Sequence, residues 1–403
     1  MKAKRTAVVS SLPTLDENRA MKLIMELLPI PALSGHEDKI ASFISAKLRA
    51  AGVPASAIHT DDAHKKSPLG GVHGNLICTL PGTLDAPRRM LMAHLDTVPL
   101  CEGTKPLRKD GYVKSGNPAT GLGADNRSGV AATLNAVLEI LRRKLPHPPL
   151  TLLWPVQEEV GLYGVRYANL ELLKSPKLCF NWDGGAAHRV IVGATGAYRM
   201  QVTVTGLASH AGVHPEHGIS ATAIAALAIA DLHSHGWHGL IVKNGKRGTS
   251  NIGVIAGGNA TNVVTAEVTL RVEARSHDPI FRKKIVAEIQ AAFKRAVARV
   301  KNHAGKRGSV RIDADLHYES FKLSEDDPSA AVASHGIAAV GLKPELSIAN
   351  GGLDANWLSA RGVPTVTLGA GQQDVHTVNE RLVIPEFLDG CRIALAIATG
   401  FSG

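Results

Sequence analysis

Apolar positions fall along this chain in two rhythms. From Asp16 to about Leu145, stretches with apolar residues at helical spacing alternate with short apolar runs of strand length. The runs predict strands at 75–80, 90–93, 150–154, 178–180 and 365–368, with helices at 128–145, 354–360 and 385–399 between or after them. Ser34-Gly-His-Glu37 has the spacing of a capping box, opening a helix that runs to Ala51 and stops at Gly52. Strands alternating with helices predict an α/β fold with a wound, mixed or parallel sheet.

Between Tyr198 and Leu316 the rhythm changes. Strands are predicted at 199–205, 251–255, 263–272 and 310–315, with helices at 219–233 and 279–301. The order βαββαβ is that of a ferredoxin-like α+β unit. The first rhythm resumes near Ser329, so the second unit reads as an insertion. The predicted division is 1–196 and 319–403 for the α/β domain and 197–318 for the inserted domain.

Composition narrows the class. A chain of 403 residues, 44% hydrophobic and 20% charged, suits a globular protein of two or three domains and excludes a disordered or fibrous one. The longest apolar stretch, 219–230, is short of the ~20 residues a bilayer span needs, so no membrane partner is expected. Met1–Arg5 is basic, but the following segment soon turns polar and reads as a frayed terminus rather than a signal peptide. Cys78, Cys101, Cys179 and Cys391 lie far apart with no Cys-x-x-Cys pair, which points to buried reduced thiols and a cytoplasmic location.

A net charge of +10 invites a basic, non-catalytic nucleic-acid-binding protein as an alternative of a different class. Against it, aromatics are 4%, and many cations crowd into 282–307. That stretch reads as a helix with Ile285, Ile289, Phe293 and Val297 on one side and cations on the solvated other, so no nucleic-acid partner is expected.

The candidate chemistry sits where predicted strands end, the place where open α/β sheets bind ligands. One strand runs into His94-Leu-Asp96, another into Gln157-Glu158-Glu159, a third into Asp183-Gly-Gly, and a fourth leads through Gly369-Ala-Gly to His376. Gly121-Leu-Gly-Ala-Asp125-Asn opens the helix at Ser128. Read alone, His94 and Asp96 fit a solvated strand end as well as a ligand with its orienting carboxylate, and Asp125 fits an N-cap. Glu158 and Glu159 are bracketed by Pro155 and Gly161, which implies an irregular turn able to aim both at one cleft. Metal-assisted hydrolysis needs one carboxylate as ligand and another as general base. Five carboxylates around one cleft repel one another, and two divalent cations offset most of that charge. Histidine and carboxylate donors without thiolates suit two Zn2+, with Co2+ or Mn2+ also fitting.

At these residues the sequence resembles the co-catalytic zinc peptidase family that includes peptidase T, carboxypeptidase G and aminoacylase. The resemblance covers nearly the whole chain, with Met92-Ala-His94-Leu-Asp96, Gly121-Leu-Gly-Ala-Asp125, Gln157-Glu158-Glu159-Val-Gly and His376 in family order. It implies one metal on His94, Asp125 and Asp183 and the other on Asp125, Glu159 and His376. Asp96 then orients His94, and Glu158 takes the proton of the attacking water and returns it to the leaving amine. Gly206-Leu-Ala-Ser-His210-Ala-Gly resembles the family's lid motif, whose histidine stabilises the oxyanion and can enter the partner subunit's site. This implies a lid that also forms a homodimer, although His210 alone reads as a surface-loop residue. Asn262 and Arg275 stand where relatives place substrate contacts; these are weaker assignments, because Asn in a turn and Arg at a strand end are ordinary. Gly351-Gly352-Leu-Asp354 resembles the peptidase T-type loop, or is a flexible turn before a helix.

The expected activity is that of a dinuclear zinc exopeptidase on small peptides, a tripeptide-type aminopeptidase. An amidohydrolase of N-acyl amino acids and a carboxypeptidase are alternatives with the same chemistry.

Overall fold

Four short strands made almost wholly of buried residues lie side by side: Leu150–Trp154, Arg89–Met92, Leu178–Gly184 and Val366–Gly369. All neighbouring pairs among them are parallel. Unbroken burial is what a strand covered on both faces requires, and parallel strands all end on the same rim. The computed structural model describes residues 12–401, so the basic Met1–Arg5 segment lies outside them.

These strands form the middle of a nine-stranded mixed sheet. Leu76–Leu80 and then Ile58–Thr60 extend it antiparallel on one side, and Arg189–Ala194 on the other. Helices Ala124–Arg143, Ile384–Thr399, Glu17–Leu27 and Pro328–Ala339 share one core with it, including the fully buried Trp154, Phe180, Trp182 and Phe387. A separate four-stranded antiparallel sheet, Gln372–Gln373, Arg381–Val383, Tyr112–Ser115 and Pro106–Lys109, had no counterpart in the sequence pattern.

Strand Leu150–Trp154 and helix Asp354–Ala360 match their expected bounds. Two departures matter for the site. The helix expected at 128 begins at Ala124, with non-helical backbone at Asp125 and Asn126. Glu37 precedes helix Asp38–Ala50 without capping it through its side chain, so the Ser34–Glu37 capping box does not form.

The chain divides into two compact units, 12–193 with 322–401 and 194–321. The second has its own core and a five-stranded antiparallel sheet in the order Gly239–Lys243, Lys246–Gly257, Glu267–Ser276, Gly196–Thr205, Ser309–Tyr318. With helices Ala221–Ser234 and Pro279–Arg299, the last four strands have the order of the ferredoxin-like unit, and Gly239–Lys243 is an extra edge strand. The missed signal was Asn244-Gly245: both residues take positive φ (51° and 73°), as a type I′ hairpin turn demands. Arg282 overturns the reading of its helix as cationic only on the solvated side. It is fully buried, donating to the Ser276 carbonyl at 3.0 Å and pairing with Glu319. All four cysteines are buried and free, and among the described residues no helix is long and apolar enough to cross a membrane.

Candidate active site

Because Arg89–Met92, Leu150–Trp154 and Leu178–Gly184 are adjacent and parallel, His94, Glu158, Glu159 and Asp183 arrive at one rim. Asp125 joins them because its helix is clamped onto the Asp183 strand. Asn126 Nδ2 donates to the Trp182 carbonyl at 2.6 Å, and a Cβ on Gly129 would meet that same oxygen at 2.1 Å. His376 comes from the turn between Gln372–Gln373 and Arg381–Val383.

The donor atoms fall into two lobes that share Asp125. His94 Nε2 stands 3.2 Å from Asp125 Oδ1 and 3.4 Å from Asp183 Oδ1. His376 Nε2 stands 3.3 Å from Asp125 Oδ2 and 3.0 Å from Glu159 Oε2. Ligands on one tetrahedral ion at ~2.0–2.1 Å lie about 3.3 Å from each other, so these separations fit a cation in each lobe. Glu158 belongs to the first lobe's surroundings: its carboxylate, His94 and Asp183 offer donor atoms within 4.8 Å of one another. Asp125, Glu158, Glu159, Asp183, Gly352 and His376 line an open cleft of about 270 Å³.

Asp96 reaches more than His94. It lies 3.4 Å from His94 Nδ1 through Oδ1, which also accepts from Glu158 N at 3.0 Å. Its Oδ2 accepts from Glu159 N at 3.1 Å and Ser34 Oγ at 2.6 Å. One buried residue thus holds the histidine, whose Nδ1 also lies 3.1 Å from the Asp96 carbonyl oxygen, and the backbone of both glutamates. The turn that swings those glutamates into the same cleft passes through Gln157 at φ 56°, a left-handed value costly for a non-glycine residue. Glu37 holds it: its Oε1 accepts from Gln157 N at 3.0 Å and Gly35 N at 2.8 Å. His376 is likewise left-handed, at φ 62°.

Sequence reasoning missed four supports. Glu380, nearly fully buried, cradles the Asp125 loop by accepting from Leu122 N, Gly123 N and Asp125 N at 2.8, 2.7 and 3.0 Å. Arg127, also buried, donates to the carbonyls of Leu95 and Ile30 and is the cation behind the acidic group. Ser34 and Glu37 carried a signal, but their spacing imitates a capping box.

Electrostatics follow from burial. Removal from water lifts Glu158 well above the usual carboxylate range; His94 opposes the shift and Asp183, Asp354 and Glu159 add to it. Burial also raises Glu159 to about 7. His376 rises to about 10 through its contacts with Asp125 and Glu159. Burial would depress His94, but Asp183 and Glu158 reverse that and hold it well above its ordinary value. Asp354 is fully buried with neither carboxylate oxygen hydrogen-bonded, and burial pushes it far upward. So many facing acids, with the two Asp354 oxygens unbonded, make a group whose charge divalent cations would offset.

The structure does not bring every predicted residue into this group. His210, Asn262 and Arg275 belong to the other unit. There His210 and Asn262 lie on neighbouring loops, with Ala211 N donating to the Asn262 carbonyl at 2.9 Å. Arg275 pairs with Glu273 at 3.0 Å on its own strand.

The profile of Peptidase family M20/M25/M40 matches residues 90–399. The structure is similar to a tripeptidase from Staphylococcus aureus subsp. aureus Mu50, at 31% identity and a TM-score of 0.87, covering 96% of this chain and 99% of that one. It is also similar to aminopeptidase PepT from Bacillus cereus ATCC 10987, at 31% identity, a TM-score of 0.84 and the same coverage. Among curated proteins, YqjE of Bacillus subtilis (strain 168), described as uncharacterized, is 31% identical over 383 residues, 95% of this chain and 98% of that protein.

Proposed function

We propose, for a chain that belongs to peptidase family M20/M25/M40 and is a peptide hydrolase, that it removes the amino-terminal residue of short peptides, tripeptides foremost, with two zinc ions. The observation that carries the metal assignment is the divided aspartate: Asp125 Oδ1 faces His94 while Oδ2 faces His376. His94, Asp125 and Asp183 would hold one ion, and Asp125, Glu159 and His376 the other. When bound, the ions supply Lewis acidity to the scissile carbonyl and lower the pKa of water.

The chain's own residues do the rest. Glu158, raised by burial, suits a group that takes a proton from attacking water and gives it to the leaving amine. Asp96 keeps Glu158 and Glu159 on the cleft side through their backbone N–H groups. His210 Nδ1 accepts from Gly212 N and Val213 N, both at 3.2 Å, which leaves the proton on Nε2. A neutral imidazole with Nε2–H outward is a hydrogen-bond donor suited to a developing oxyanion. Likeness to the S. aureus tripeptidase and B. cereus PepT favours the amino-terminal specificity.

Purified protein is expected to carry two metals per chain by elemental analysis. Its kcat/KM on tripeptides should stand at least about tenfold above that on N-acetyl amino acids, with the amino-terminal residue released first. Chelation should stop turnover, and zinc or cobalt should restore it. Preference for the acetylated panel would make the protein an amidohydrolase, and release of the carboxyl-terminal residue first would make it a carboxypeptidase.

A further inference from the structure

Within the second unit, well apart in sequence from every residue of the cleft, His214-Pro-Glu216-His217 forms a short turn whose polar side chains face one another. Glu216 Oε1 lies 3.3 Å from His214 Nδ1 and 3.6 Å from His217 Nε2. The three offer donor atoms that all lie within 4.8 Å of one another. The rings of His214 and His217 stack at 4.9 Å between centroids with an 8° interplanar angle, and His303 approaches His217 at 4.6 Å.

His303 comes from a different turn, and that turn is tied to this one. His303 N donates to the Glu216 carbonyl at 2.9 Å, and Asn302 Nδ2 donates to the His217 carbonyl at 3.1 Å. Asn302 Oδ1 in turn accepts from Ala304 N and Lys306 N, so the second turn is ordered by its own hydrogen bonds. His303 Nδ1 lies 3.0 Å from the Glu216 carbonyl oxygen, an arrangement that fixes Nδ1–H and leaves Nε2 as the lone-pair nitrogen.

We propose that His214, Glu216 and His217, with His303 beside them, form a binding site for one borderline divalent metal ion, Zn2+ or a neighbour such as Ni2+ or Cu2+. Two imidazoles and a carboxylate are the donors such ions prefer when no thiolate is present. Glu216 Oε1 stands 3.3 and 3.6 Å from the two ring nitrogens, at and a little above the about 3.3 Å expected between ligand atoms on a tetrahedral ion. Two turns joined by backbone and side-chain hydrogen bonds bring the donors close, and rotation of one imidazole out of the stack lets both in-plane lone pairs meet at one ion. All three side chains are about half exposed, so the ion enters from solvent and exchanges with it.

The test is equilibrium dialysis of the full-length protein against Zn2+, followed by elemental analysis, for the parent and for the double variant H214Q/H217Q. The parent is expected to retain one ion per chain more than the variant. H303Q alone should weaken that extra binding about 10-fold, the order found when a supporting group is removed. Equal metal content in parent and double variant overturns the proposal. As a measurement independent of any variant, crystals of the parent soaked in Zn2+ should give an anomalous peak between His214, Glu216 and His217. Absence of that peak, with peaks elsewhere in the molecule, overturns it as well.

Discussion

The two units put their polar chemistry in opposite settings. In the α/β unit, His94, Asp96 and Glu380 are buried and the Asp183 side chain is only 6% exposed, and each is held by another group of the site or by backbone that the site shapes. In the inserted unit, His210, His214 and His217 are exposed on turns, while its one deeply buried charge, Arg282, serves only to join Ser276, Ser320 and Glu319. Burial raises the energy of each ionised acid, so a buried acidic group persists only with compensation, whereas an exposed histidine costs almost nothing to keep. Changes in the first region should therefore alter chemistry and stability together. Changes on the exposed turns of the second should alter only what those turns bind.

The sharpest contrast pairs E158Q with H210A. E158Q keeps the size of the side chain and removes the proton acceptor, so kcat should fall by about 10²–10⁴ while metal content stays that of the parent. H210A should lower kcat by about 10²–10³ if it loses an oxyanion donor, and lower stability by no more than about 1 kcal/mol, since the ring is exposed and gives up two backbone hydrogen bonds that water can replace. A fall in melting temperature for H210A as large as that for a buried substitution would break the contrast. Full activity in E158Q would remove Glu158 from the mechanism.

E380Q asks whether a residue that touches neither cleft nor substrate belongs to the site. Its three backbone donors set the loop that carries Asp125. Halving the acceptor capacity should reduce metal affinity by about 10–100-fold, with a matching loss of activity at limiting zinc that excess zinc recovers. A variant as active as the parent at every zinc concentration would make Glu380 a purely structural acid.

Glu380 also shows where the sequence stops being legible. Strand ends carrying His94, Glu158 and Asp183 were readable because continuous apolar runs mark buried parallel strands, and those strands must share a rim. The glutamate pair was readable from its flanking Pro155 and Gly161. Glu380 was not, since a buried acid satisfied by distant backbone N–H groups leaves no local pattern. Ser34 and Glu37 were misread for a different reason: the same spacing serves a capping box, and only the fold reveals that Ser34 reaches Asp96 and Glu37 reaches Gln157. The edge strand Gly239–Lys243 was missed although Leu240-Ile241-Val242 is an apolar run of strand type and Asn244-Gly245 announced its turn into Lys246–Gly257.

Glu37 gives the smallest effect and the cleanest measure of what burial costs the first region. Burial, with the nearby charge of Asp96, raises its carboxyl from 4.5 to about 7. Its Oε2 has no hydrogen-bond partner to offset that. Below pH ~4.5 the group is protonated in both folded and unfolded chains and costs nothing. As pH rises toward 7 the unfolded chain ionises freely while the folded one resists, so stability is lost across that window and levels off above it. Glutamine keeps an oxygen for Gly35 N and Gln157 N and cannot ionise. The stability of E37Q relative to the parent should therefore climb by about 1–3 kcal/mol between pH 5 and pH 8, read from urea midpoints with metal held constant. A difference that stays flat across that range would mean that Glu37 ionises without penalty in the folded chain.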